Sequence, residues 1–488
     1  MTSSLGRSSL AQLVFPSLRW RPSQGSFDHE RAKIDAALAA GVGGFIIFGG
    51  TQPAVTALTA QLRAAAAGPL LIGADFERGP AQQVEGLTEL PPPAALGFLG
   101  DVEVTRTAGI ITGAEARSVG VNWAFAPVCD LDIEPRNPIV GTRSFGADPN
   151  MVAKHATAWI AGCQDHGALA CAKHYPGHGR TTQDSHATLP RVLTPAATLE
   201  RTDLVPFGAA VRAGVGSVMS AFVAYPAWDS SGRAASFSSV ILGYLRRKLE
   251  FDGLVVSDAL IMAGATAHER EGPATTTAVA AGVDALLYPQ DFARVVAALD
   301  AAVGAKGGIP AARADEALAR VAGAAERWSS GAEQGEPDLT AHAAFADRIA
   351  DRVTHLVRGE PPAIGAPLSL PIVDDDVGGP YTVGPRDVVE GQLREAGIEV
   401  EAGKGDGGRG KRVVLVYSEP RSWKGRADLG PASRQALAKL VPGAALVILF
   451  GHPRLTAQIP GSVPVLCCWH GQALMQRAAA RWILQRMA

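Results

Sequence analysis

The stretch KHYPGHGRTTQDSH, residues 173–186, sets Lys173, His174, His178, Asp184 and His186 around a Pro-Gly break. These are groups that move protons or hold ions. His174 and His178 lie four apart, the spacing that on a helix aims two imidazoles at one metal ion, with Asp184 and His186 available to complete a zinc set. Pro176 and Gly177 interrupt such a helix. The segment instead reads as a strand end carrying Lys173 and His174, followed by a long loop carrying Asp184 and His186. His178 is either a hydrogen-bonded packing histidine or a further member of a site. Asp-Ser-His in a loop can set the Asp184 carboxylate against the His186 imidazole, fixing its tautomer and raising its basicity, which makes a general acid/base pair.

Such residues act only if the elements around them share one face. The first two thirds of the chain repeat a short β-rich apolar run, a polar or Gly-rich stop and an Ala-rich helical stretch. The predicted strands are residues 44–50, 69–77, 121–128, 168–175, 215–222, 253–259 and 284–289. This alternation implies parallel strands with helical crossovers, and its length fits one (β/α)8 TIM-like barrel over residues 1–328. Asp75, Asp130, Lys173 with His174, and Asp258 all fall at or just past the C-terminal ends of predicted strands, the face on which such barrels assemble their sites. A polar Gly- and Pro-containing stretch then marks a linker, residues 329–345. Residues 346–488 read as a second, smaller α/β domain, an open sheet with helices on both faces, with a helix through LTAHAAFADRIADRVTHLV and strands in PYTVG, RVVLVYSE, ALVILFGHP and VPVLCCWH. GDGGRGKR (405–412) has the glycine and lysine spacing of a phosphate-binding loop. However, Arg412 stands where Ser or Thr is needed and the loop precedes a strand, so it reads as a solvated connector.

Composition narrows the function. The chain has 488 residues, 47% of them hydrophobic, and a formal net charge of -2, with no long basic run to bind nucleic acid or an anionic membrane. No export signal and no apolar stretch of spanning length are read, and the five cysteines lack zinc-type pairs. A cytoplasmic protein with reduced, buried thiols, no metal and no cofactor is expected.

The residues quoted above, taken together, resemble glycoside hydrolase family 3, and specifically its β-N-acetylglucosaminidase branch, whose loop reads K-H-F-P-G-H-G and then D-S-H. The neighbouring segments APVCDLDIEPRNPIVGTRSFG, DLVPFGAAVRAGVGSVMSAFVAYPAWD and LEFDGLVVSDALIMAGA stand in the family's order and spacing. The resemblance assigns Asp258 as nucleophile and His186, supported by Asp184, as acid/base. It assigns Asp75, Asp130, Arg143, Lys173 and His174 to the sugar hydroxyls or to the support of the pocket floor. The second domain resembles the family's smaller α/β-sandwich domain. It implies a retaining exo-β-N-acetylglucosaminidase acting on small glycans or muropeptides in cell-wall recycling. The alternatives are a phosphorylase with the same residues, a β-glucosidase-type member, or a barrel that binds sugar without turnover. Where the family commonly has D-Q-E-G-G-R-V-Q-R, this chain has DFERGPAQQ (75–83), with Pro80 and Gln83 in place of both arginines, and Phe222 replaces a common His.

Overall fold

The computed structural model describes residues 9–183, 185, 188–266, 270–329, 335–379, 383–401 and 410–487. The first group of strands is β1 (Val14–Phe15), β2 (Ser17–Arg19), β3 (Gly44–Phe48), β4 (Leu71–Ala74), β5 (Trp123–Ala124), β6 (Leu169–Tyr175), β7 (Ser217–Ser220), β8 (Leu254–Ser257) and β9 (Leu286–Leu287). Strands β2 to β8 form one parallel sheet in chain order. β1 leads into β2 through Pro16, which cannot donate to a ladder, and pairs in parallel with β9, while Ala285 beside β9 bridges Val256 of β8. The sheet is therefore curled, its two edges turned toward each other.

Each strand is a run of apolar residues wrapped by helices, so β6 is buried at every position. Two of the crossover helices start at capping side chains: Asp101 accepts the Val104 amide at 3.3 Å, and Asp148 accepts that of Met151 at 2.7 Å, with Pro149 in the first helical position. Those two helices, Val102–Ser118 and Pro149–Asp165, cross backbone to backbone. A Cβ added to Gly109 would lie 2.2 Å from the Trp159 carbonyl oxygen, so only glycine permits the approach.

The second group is β10 (His355–Arg358), β11 (Leu368–Ser369), β12 (Ile372–Asp374), β13 (Lys411–Ser418), β14 (Leu446–Gly451) and β15 (Val465–Cys467). Its sheet runs β10-β15-β14-β13-β11, with β12 also on β13, and is parallel except for β10. One continuous apolar core joins the two groups, including Leu96 of the first and Ile349, Val353 and Leu474 of the second, and a smaller core around Val414, Leu437 and Leu449 fills the second sheet's other face. Polar contacts reinforce the joint: Gln472 donates to the Leu90 carbonyl at 2.7 Å, the Leu474 amide to Glu89 at 2.6 Å, and Arg454 pairs with Asp132.

Several predicted elements take a different form. The helix read through residue 357 ends at Val353, because Thr354 turns to an extended backbone and the half-buried stretch after it, His355–Arg358, pairs as the antiparallel edge strand β10. Of the residues read as linker, 339–345 belong to the helix Leu339–Val353, capped by Asp338. Strands β11 and β12 escape a sequence reading because Pro367 and Pro371 break the run into pieces. The strand read in PYTVG spans residues 380–384, of which 380–382, like residues 402–409, lie outside the described residues, while Val383 and Gly384 are not in a strand. Gly410 to Arg412 is the entry to β13, where Lys411 donates to the Ala363 carbonyl at 2.8 Å. The five cysteines are free and buried. Among the described residues no helix is long and apolar enough to cross a membrane.

Candidate active site

Strand β4 ends at Ala74, and the chain then presents Asp75 and, two residues on, Glu77. Lys173, near the end of β6, reaches both: its Nζ lies 2.8 Å from Asp75 Oδ1 and 2.7 Å from Glu77 Oε1. Arg143 grips Glu77 with two parallel bonds, Nε at 2.8 Å and Nη2 at 2.7 Å. Burial alone would raise the Glu77 carboxyl, but Arg143 and Lys173 together hold it well below the usual carboxylate range. Burial likewise opposes the Lys173 charge, and Asp75 and Glu77 outweigh it, raising the ammonium's pKa. The result is a buried floor of alternating fixed charges. Such a floor suits a polyol, since each hydroxyl both donates and accepts and bonds to ionised partners discriminate strongly.

Asp130 lies behind this floor. Fully buried, it accepts His174 Nδ1 at 2.6 Å and the backbone amides of His174 at 3.1 Å and His178 at 2.6 Å. Burial would raise its pKa, but His174 and His178 lower it. With Nδ1 committed to Asp130, the His174 ring offers Nε2 to the cleft. Asp130 is therefore a support, while Asp75, Arg143, Lys173 and His174 line the cleft itself.

His178 resolves as both alternatives at once. Its two ring nitrogens are engaged, Nδ1 with Thr181 Oγ1 at 2.8 Å and Nε2 with Ser185 Oγ at 3.0 Å, and burial pushes its pKa down to about 4, so it is neutral. It packs, and by packing it anchors Ser185, whose carbonyl also accepts the Gly264 amide at 2.9 Å and which lines the cleft. Asp184 and His186 lie outside the described residues. On the facing side Asp258 follows β8 directly. Its Oδ1 accepts the Ala259 amide at 2.7 Å, and the other carboxylate oxygen has no hydrogen-bond partner among the described residues.

These groups share one cleft of about 640 Å³. Gln83, in place of an arginine, lines it and accepts the Gly49 amide at 3.0 Å, whereas Phe222 is buried against Phe237 and does not reach it.

Sequence reasoning missed two parts of the wall. Glu77 was visible as the second acid of D-x-E but was given no role. The second sheet contributes Glu419, just past β13, and His470, Gly471 and Gln472, just past β15. They obey the same strand-end rule that picked out Asp75 and Asp258. Glu419 accepts the Gly471 amide at 3.0 Å and Arg421 at 2.8 Å. His470 Nε2 lies 3.2 Å from it while Nδ1 accepts the Gln472 amide at 3.1 Å. Both nitrogens of this ring are committed, so it acts as a strut, and burial lowers its pKa.

Residues 7–324 match the N-terminal domain of glycosyl hydrolase family 3. A β-hexosaminidase of Chromobacterium violaceum is 39% identical over 284 residues, 55% of this chain and 78% of that protein. A β-N-acetylglucosaminidase/β-glucosidase of Cellulomonas fimi is 33% identical over 343 residues, covering 66% of this chain and 60% of that protein. The solved structure of a family 3 β-N-acetylglucosaminidase from Paenibacillus superposes over 100% of this chain and 97% of its own, with a TM-score of 0.85 and 27% identity.

Proposed function

We propose, from the premise that the chain belongs to glycosyl hydrolase family 3, how this glycoside hydrolase works: it removes terminal β-linked N-acetylglucosamine from small glycans or muropeptides with retention at the anomeric centre. The reading takes the curled sheet and the β1/β9 pair as one eight-stranded barrel, with the second sheet as the α/β-sandwich domain. The observation that carries it is Asp258. A carboxylate with one oxygen held by a backbone amide and the other without a hydrogen-bond partner among the described residues lines the same cleft as a fixed-charge polyol floor.

In the first step Asp258 attacks the anomeric carbon and the leaving oxygen takes a proton; in the second, water displaces the ester. His186, charged with the help of Asp184, gives that proton and then receives one from water. Support comes from Ser185, the residue between them in the sequence, which lines the cleft wall. An imidazole with an ordinary pKa of about 6.5 suits both roles near neutral pH. The names of the relatives support the acetamido sugar as substrate. Cell-wall recycling and a cytoplasmic address belong to the same proposal.

The test is turnover of aryl β-N-acetylglucosaminide against aryl β-glucoside, with and without phosphate, the products read by mass. The proposal expects faster release of free N-acetylglucosamine. An equal or higher kcat/KM on the glucoside, or a sugar phosphate as product, overturns it.

A further inference from the structure

Among the described residues six cationic side chains line the cleft, and four of them have carboxylate partners. Arg143 and Lys173 share Glu77, Arg386 pairs with Asp374 and Asp376, and Arg421 pairs with Glu419. Arg19 has no carboxylate but is otherwise accounted for: it lies 4.8 Å from the Phe48 ring centroid and 5.1 Å from that of Tyr288, and donates to the Tyr288 hydroxyl. Arg78 has no such compensation. Its side chain makes one long bond, Nη1 to Gln472 Oε1 at 3.3 Å, and no ion pair with a described residue. Glu419 and Glu89 act on it from beyond contact; both Glu419 oxygens are already taken, by Gly471 and Arg421, and one Glu89 oxygen by the Leu474 amide. Beside it, Arg421 Nε is buried with no partner among the described residues. Arg78 is half-buried in the cleft wall and short of acceptors there, so it gains when one arrives with a substrate.

We propose that Arg78, with Arg421 beside it, forms a subsite for an oxyanion carried by the substrate, a carboxylate or a phosphoryl group, so that acidic sugars are preferred over neutral ones. The placement fits the chain's own departure from the pattern quoted above, since Arg78 stands at a glycine position of D-Q-E-G-G-R-V-Q-R. A planar guanidinium offers two parallel donors to either anion. The inference rests on the glycosidase reading for its substrate and on the unpaired guanidinium for its charge.

Two arms separate the sources. One compares a β-linked N-acetylglucosamine disaccharide with and without a carboxylate on the leaving sugar; the other compares an aryl N-acetylglucosaminide with and without a 6-phosphate. In one arm kcat/KM should favour the acid about tenfold or more, the discrimination expected of a charge-assisted bond. Arg78→Gln should abolish that preference, and Arg78→Lys should keep part of it. A ratio near one in both arms overturns the subsite, as does Arg78→Gln slowing acidic and neutral substrates equally, the mark of a clamp on Gln472 alone. Should the neutral substrates not turn over, the glycosidase reading falls, and the subsite is then decided by calorimetry with glucuronate, glucose 6-phosphate and glucose. Acid binding weakened about tenfold by Arg78→Gln supports it, and indifference to charge refutes it.

Discussion

Glu77 holds the floor of the cleft together, and Glu77→Gln measures how strongly. The side chain is 7% exposed and is bonded by Lys173, itself 2% exposed, and twice by Arg143. Removing one member of a buried pair costs roughly 3–5 kcal/mol because the other charge is left uncompensated. Asp75 remains on Lys173 and an amide oxygen still accepts one bond, so the lower end, about 3 kcal/mol, is expected. The assay is denaturant unfolding followed by tryptophan fluorescence, together with kcat/KM, which should fall about 100-fold as the floor loses its geometry. The pH dependence has a definite sign. Since the folded pKa is depressed, the contribution of Glu77 is fully present above its unfolded value and is lost as pH falls through the folded one. The gap between wild type and variant must therefore be widest near neutrality and close in acid. Adding Arg143→Gln should cost much less than the sum of the two single changes. Additive effects, or a loss under about 1 kcal/mol, would refute the ion network as the support of the floor.

Other consequences follow from the same geometry. Asp130→Asn weakens the acceptor of three hydrogen bonds and should lower kcat/KM about tenfold or more, with a larger loss for Asp130→Ala; unchanged kinetics for both would remove its supporting role. His178 binds its proton more weakly folded than unfolded, so stability should decline as pH falls from about 6.5 toward about 4, and His178→Gln should flatten that limb of the midpoint-against-pH curve. His186→Ala should slow substrates with poor leaving groups far more than activated aryl glycosides, since only the former need a proton in the first step; equal losses in single-turnover glycosylation would sink the role.

Parallel strands were legible because their apolar runs are short, buried and bounded by polar stops; each of the seven strand segments read in the first two thirds contains a strand. The floor was legible for the same reason, since a charged residue at the end of an apolar strand stands out: Asp75, Lys173 and Asp258 all do. Asp130 drew notice by that rule, but its place behind His174 came only with the fold, as the carboxylate is used up by two amides and an imidazole. The second-sheet wall was missed because its partners are separated by most of the chain. Nothing local to WHGQ says that Gln472 meets Arg78 nearly 400 residues away. β10 was read as helix because its residues continue an amphipathic pattern that ends only where Thr354 turns to an extended backbone.

The central claim is that Asp258 is the nucleophile. A slow fluorosugar of the preferred substrate should accumulate as an ester, and mass spectrometry of the digested protein should find the sugar on the peptide containing VVSDAL, with the β-anomer as the first-formed product of normal turnover. A label on any other peptide, or an inverted first product, would contradict the account.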